Sequence, residues 1–202
     1  MTIEEFQEAL SSKNPTPGGG TASAIALGQS ASLVAMVANL TLGNEKWIEG
    51  WKSSESALAL ANSVTRDCAK LATEDSDSFD NVMAAFRLPK NTDEEKSFRR
   101  DTIRKSTLIA AEIPYRTALL ALELLNVMKP LSVYGNGNAV SDVGVAALLA
   151  TAGCKGALFN VEINLNSLPT DYGTEIREDI GRVSEECRAI SKDIMHNVKN
   201  RL

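Results

Sequence analysis

Apolar and polar positions recur at helical intervals along most of the chain. Between about Gly50 and Phe86, the residues Ala61, Val64, Cys68, Leu71, Asp75, Ser78 or Phe79, Val82 and Phe86 follow at three- and four-residue steps, so they share one helix face. Near the C-terminus, Ile176, Ile180, Val183, Cys187, Ile190 and Ile194 repeat the pattern. They predict a final helix from about Thr174 that packs on another long helix or on a second subunit. Thr2 with Glu5 and Thr92 with Glu95 form capping-box signals. The first predicts a short helix to about Ser11. The second predicts a long helix towards Met128, kinked or split at Pro114 and stopped at Lys129-Pro130. A small-residue helix is expected from about Gly20 until Gly43-Asn44 ends it, and another from Ser141-Asp142 to about Lys155. Phe159 to Leu165 alternates as a strand would, but a lone strand has no partner here, so helix continuation is expected. With no strands alternating with these helices, the chain reads as one all-α domain over residues 1–202, a multihelical bundle of long antiparallel helices.

One stretch breaks the amphipathic rule. No charged residue lies between Lys13 and Glu45. The segment Thr21 to Leu42 is long enough to cross a bilayer. Its side chains, however, are mostly Ala, Ser, Gly and Thr, with Gln29 and Asn39 inside, and Leu, Ile and Val are too sparse to favour lipid. Small residues instead allow close helix approach, so a central core helix packed all round by others is expected, and no membrane.

The bulk properties agree with a helical, water-soluble fold. The 202 residues are 44% hydrophobic and only 5% aromatic, and the net charge of -5 is spread as mixed acids and bases. A nucleic-acid footprint needs a basic face, which is not seen. Three cysteines without a CxxC pair, and an N-terminus without a basic and apolar leader, fit a reducing cytoplasm.

Candidate chemistry is narrow. The single histidine, His196, sits near the end of the last helix and reads as a surface residue, so neither histidine-based nucleophilic catalysis nor a zinc site is expected. Asp75 stands out as a carboxylate on an apolar seam: either it pairs with a cation or emerges at an edge, or it faces a cavity as an acid–base group. Asp77 and Asp80 fall off that seam and read as solvent-facing. Asp142, after Ser141, is either an ordinary first-turn acid or a carboxylate at the lip of a pocket. Gly18, Gly19 and Gly20 precede a helix N-terminus, where backbone N–H groups can meet an anion, but no phosphate-loop motif follows. The turn from Gly135 to Asn138 adds uncharged donors and acceptors.

Four blocks together resemble the cyclodeaminase/cyclohydrolase family of folate enzymes. They are Asn14 to Ala24 with Met36 to Gly43, Asp75 to Lys90, Gly135 to Ala147, and Phe159 to Leu165. One departure is visible: the family places a basic residue after the Leu-Gly pair, whereas Gly43 is followed by Asn44 and Glu45. The resemblance implies an all-helical homodimer acting on one-carbon tetrahydrofolates, with the folate as substrate and no cofactor. The first reading is a formiminotetrahydrofolate cyclodeaminase, making 5,10-methenyltetrahydrofolate and ammonia, with any formiminotransferase a separate partner. The alternative is a methenyltetrahydrofolate cyclohydrolase giving 10-formyltetrahydrofolate. A non-catalytic folate-binding or helical dimerisation protein is the alternative of another class. With histidine excluded, Asp75 and Asp142 become the expected acid–base groups. The matched positions Asn39, Asn138 and Ser141 are expected to bind the pterin, Lys90 the glutamate carboxylates, and Gly18 to Gly20 to offer backbone donors.

Overall fold

The computed structural model describes residues 1–202 and contains six α-helices and no strand. They are α1 (Ile3–Leu10), α2 (Gly19–Thr41), α3 (Trp51–Phe86), α4 (Asp93–Tyr134), α5 (Val140–Asn166) and α6 (Thr174–Arg201). Both capping boxes form as the sequence predicts, Thr2 with Glu5 and Thr92 with Glu95. Helix α1 buries none of its residues, whereas α2 to α6 share one contiguous core.

Helix α2 lies between α3 and α5, antiparallel to both. Gly28 meets Cys68 on α3, and the Ser30 hydroxyl donates to the Ala146 carbonyl on α5 at 2.7 Å. Gly153 sits so close to α2 that a Cβ there would come within 2.9 Å of the Ser23 carbonyl. Small residues thus let the two backbones approach, and Leu27, Val34 and Val37 fill the remaining space fully buried. Each such side chain stabilises the fold by about 1.5–3 kcal/mol. Gly43, at φ +74°, turns the chain out of α2, as its place after the apolar run predicts.

Four expectations are corrected. Helix α2 is not packed all round: Gln29, Ser32, Met36, Asn39 and Leu40 are exposed along one side. Helix α4 does not stop at Lys129-Pro130 but runs through Pro130 to Tyr134. The carbonyl that Pro130 deprives belongs to Asn126, an exposed position where water can serve. The α3 seam holds through Leu71 but then continues through Ser78 and Ala85, leaving Phe79 and Phe86 exposed. The small-residue helix does not end near Lys155, since α5 continues to Asn166 and absorbs Phe159 to Leu165, as the lack of a partner strand required. The α6 seam packs within the chain, against α4 and α5, with Val183, Cys187 and Ile194 buried.

Pro114 does not split α4 either. Proline lacks the N–H that would bond the Ala110 carbonyl one turn earlier. Asn164 of α5 supplies the missing donor, its Nδ2 lying 2.8 Å from that carbonyl. A buried carbonyl is thereby satisfied from a neighbouring helix. Asn164→Ala is expected to destabilise the protein by about 1–3 kcal/mol. In a Pro114→Ala background, where the backbone N–H returns, the same substitution costs less. Chemical denaturation of the four proteins in a double-mutant cycle measures the difference.

Candidate functional site

Asp75 is half-buried on α3, against the N-terminus of α2. The N-cap of α2 is Gly18, which has no side chain to satisfy the first-turn N–H groups. Asp75 approaches that end from another helix and accepts from the Thr21 hydroxyl at 2.9 Å. Gly20 is buried at the contact, and a Cβ there would overlap the carboxylate. The glycine run is therefore a close-approach device. No Lys or Arg contributes to the environment of Asp75, so the buried ion pair considered for it is not what the residue makes. Burial pushes its carboxyl above the ordinary range, and hydrogen bonding from Thr21 offsets this only in part.

A cavity of about 240 Å³ opens beside this carboxylate. Pro15, Gly18, Gly19 and Gly20 form one wall, Ser78, Phe79 and Val82 another, and Asn160, Ile163 and Asn164 of α5 the third. The Asn160 and Asn164 side-chain nitrogens are held by the Gly156 and Ala110 carbonyls, which leaves both amide oxygens without a protein donor. Asp75 is the only charged group lining the cavity. The two asparagines were not singled out from sequence; the signal available was their place in the Phe159 to Leu165 block.

Asp142 lies elsewhere. It occupies the first turn of α5, half-buried, beside the exposed Ser141. The N-cap is Ala139, with no side-chain cap, so neither residue caps the helix, and Asp142 stands as the first-turn acid of the plainer reading. The preceding turn is fixed from three sides. The Asn136 N–H donates to Thr41 Oγ1 at 2.9 Å, and its Nδ2 donates to the Leu40 carbonyl at 2.8 Å. Trp47 packs on Gly137, and Arg201 donates to the Ser132 and Gly135 carbonyls. Asn39 and Asn138 are exposed at this same end of the bundle.

The expected site residues thus fall into two groups. Gly18, Gly19, Gly20 and Asp75 meet at one end, with Asn160 and Asn164; Asn39, Asn138, Ser141 and Asp142 gather at the other. Eighteen residues of α5 separate Asp142 from Asn160, about 27 Å at helical rise. Lys90 joins neither group, lying exposed in the turn after α3, more than about 16 Å along the axis from Asp75. His196 is exposed and pairs only with the Asn200 side chain, as its surface placement predicts.

The sequence from residue 2 to 182 matches the formiminotransferase-cyclodeaminase family. The chain belongs to this family. It is 36% identical over 202 residues to the methenyltetrahydrofolate cyclohydrolase of Methylorubrum extorquens, covering all of this chain and 97% of that protein. It is 28% identical over 184 residues to the formimidoyltransferase-cyclodeaminase of Gallus gallus, covering 91% of this chain but only 34% of that longer protein. Among solved structures, the formiminotetrahydrofolate cyclodeaminase of Thermotoga maritima superposes with a TM-score of 0.81 at 24% identity, covering all of this chain and 96% of that one. As a formiminotransferase-cyclodeaminase family fold, the all-helical architecture stands as the sequence predicts.

Because the folded carboxyl of Asp75 holds its proton more readily than an unfolded one, its contribution to stability is present at low pH and lost as pH rises through the raised value. Asp75→Asn is therefore expected to melt at least as high as the parent at pH 7, with the advantage shrinking towards pH 4. Thermal melts at the two pH values check this. Gly20→Ala is expected to push the Asp75 carboxylate off Thr21 and, by removing the hydrogen bonding that opposes the rise, to widen the difference between the two pH values.

Proposed function

We propose that this protein opens the ring of 5,10-methenyltetrahydrofolate with water, giving 10-formyltetrahydrofolate, and that it works as a homodimer whose sites are built from both chains. The observation that carries the reading is Asp75: a half-buried carboxylate with no cation partner, facing a cavity of otherwise uncharged groups. The end-to-end likeness to a stand-alone cyclohydrolase favours this reaction over the cyclodeaminase expected first from sequence.

Support for a dimer comes from an uncovered face. Asp142, Val145, Leu149, Ala152, Gly156, Phe159 and Ile163 follow on α5 at alternating three- and four-residue steps. This is a packing seam, yet Val145 is 48% exposed, Phe159 65% and Ile163 70%. Beside it, α2 presents Met36 and Leu40, also exposed. A second copy is the occupant this geometry favours. A twofold axis crossing α5 near Ala152, midway along the seam, sets Asp142 of one chain opposite Ile163 of the other. Each Asp75 cavity then gains Asn138, Ser141 and Asp142 from the partner, and the 27 Å gap within one chain closes across the interface.

In this site the substrate's bridging carbon carries an amidinium charge. Asp75 takes a proton from the attacking water as the C–O bond forms, and passes a proton on as the bond to N5 breaks. A carboxyl held above its ordinary range is suited to that exchange. Asp142 of the partner supplies the counter-charge to the cation. The free amide oxygens of Asn160 and Asn164 meet pterin N–H donors, joined by Asn39, Asn138 and Ser141. Lys90 lies within reach only of an extended glutamate tail. The scheme uses no resident cofactor, and the three buried free thiols suit a reducing cytoplasm.

The runner-up is cyclodeamination of 5-formiminotetrahydrofolate, favoured by the half-buried setting of Asp75, since a carboxyl whose value burial raises is suited to handing a proton to leaving ammonia. A formiminotransferase would then be a separate protein. Absorbance at the methenyl band separates the two, through decay of methenyl substrate or its formation from the formimino compound. Turnover of neither, with a reduced folate still bound, would leave a non-catalytic binder.

Asp75→Asn and Asp142→Asn are each expected to lower kcat by about a hundredfold or more. Mixing the two inactive variants under subunit exchange should restore activity to about a quarter of the parent's, since only mixed dimers carry one intact composite site. A site contained in one chain would show no recovery. The acid limb of kcat/KM should lie above the ordinary aspartate range and vanish in Asp75→Asn.

A further inference from the structure

Arg201 and Trp47 have no part in the proposed chemistry, yet they hold the turn that precedes Asp142. Helix α4 ends at Tyr134, and the Asn136 N–H, which would normally bond the Ser132 carbonyl, is diverted to Thr41. Arg201 fills the vacancy, with Nη1 2.9 Å from the Ser132 carbonyl and Nη2 2.6 Å from the Gly135 carbonyl. Its guanidinium carbon lies 5.8 Å from the centroid of the Trp47 ring. Arg201 has no carboxylate partner among the ion pairs of the chain. The indole edge of Trp47 in turn closes on Gly137, where a Cβ would come within 2.8 Å of the ring and 3.4 Å of Arg201. Asn197, one turn earlier on α6, donates to the Ser132 hydroxyl at 2.9 Å.

We propose that Arg201 and Trp47 are positioning residues: by bridging two carbonyls and stacking on one ring, they fix the Gly135 to Asp142 segment so that Asn138, Ser141 and Asp142 are presented in one geometry. An isolated surface arginine would neither bridge two main-chain carbonyls nor be wedged against an indole. The bridge needs the planar fork of Arg, because a lysine ammonium is a point charge that cannot reach both acceptors in this way. The proposal rests on the folate reading for its catalytic consequence, though not for the clamp itself.

Two measurements on the full chain separate these. Hydrogen exchange over residues 135–142 needs no substrate, and it is expected to quicken in Arg201→Ala and Trp47→Ala. Unchanged exchange in both variants overturns the clamp. With 5,10-methenyltetrahydrofolate, Arg201→Ala and Arg201→Lys are both expected to lose about tenfold to a hundredfold in kcat, with the smaller change in KM. Retention of kcat within about twofold in Arg201→Lys shows that charge alone suffices and overturns the bridging role. Trp47→Phe, which keeps a flat ring, should recover most of what Trp47→Ala loses. The double variant Arg201→Ala/Trp47→Ala should be no worse than the single arginine variant, as expected of two parts of one device. Millimolar guanidinium should restore part of the kcat of Arg201→Ala, an effect that loss of general stability would not show. Absence of turnover by the parent with either folate defeats the functional reading, while the exchange result still decides the clamp.

Discussion

The close antiparallel approach of α2 and α5 is the contact on which the remaining architecture depends. Gly153 meets the Ser23 carbonyl with no side chain between the backbones, Gly156 leaves room for the Ser23 hydroxyl, and Ser30 bonds the α5 main chain directly. Larger residues here would force the helices apart, and a well-packed core does not absorb such shifts cheaply. The approach puts Asn160 against Gly19, and so brings the α5 asparagines to the N-terminus of α2, where Asp75 arrives from α3. At the opposite end it sets Leu40 and Thr41 against Asn136. One helix pair therefore registers both groups of candidate site residues.

The same pair explains why two apolar helices do not have to mean a membrane. Both α2 and α5 are long and apolar enough to cross one by length and composition, and half of each apolar stretch is buried within the fold. Their outward sides carry exposed apolar residues at packing intervals. A bilayer would demand lipid-facing residues all along such a face, whereas Gln29, Ser32 and Asn39 interrupt it with polar groups suited to a protein partner.

Much of this was legible in the chain because helical periodicity and capping chemistry are local. The capping boxes at Thr2 and Thr92, the stop at Gly43 and the absence of strands needed no tertiary information. The errors were tertiary. Pro130 reads as a stop in sequence, which does not show that Asn126 faces water. Spacing allows Ser78 or Phe79 on the seam and puts Phe86 there, whereas drift along a 36-residue helix moves the buried face onto Ser78 and Ala85. Asp75 was conspicuous because a carboxylate on an apolar seam conflicts with burial. Asn160 and Asn164 were not, since an amide in a helix raises no such conflict. Nor could spacing reveal that Asp75, on α3, and Asp142, on α5, lie at opposite ends of the bundle.

The bond from Asn164 to the carbonyl left bare by Pro114 ties two distant positions to each other. If Asn164 were replaced first, a buried acceptor would be stranded, and the intermediate protein would be handicapped. If Pro114 were replaced first, the main chain would look after its own carbonyl, but Asn164 would be free to turn away from the cavity it lines. One order endangers the fold and the other the site, so a drifting sequence has little room at either position. A residue usually regarded as a helix breaker has in this way become the anchor for a side chain on another helix.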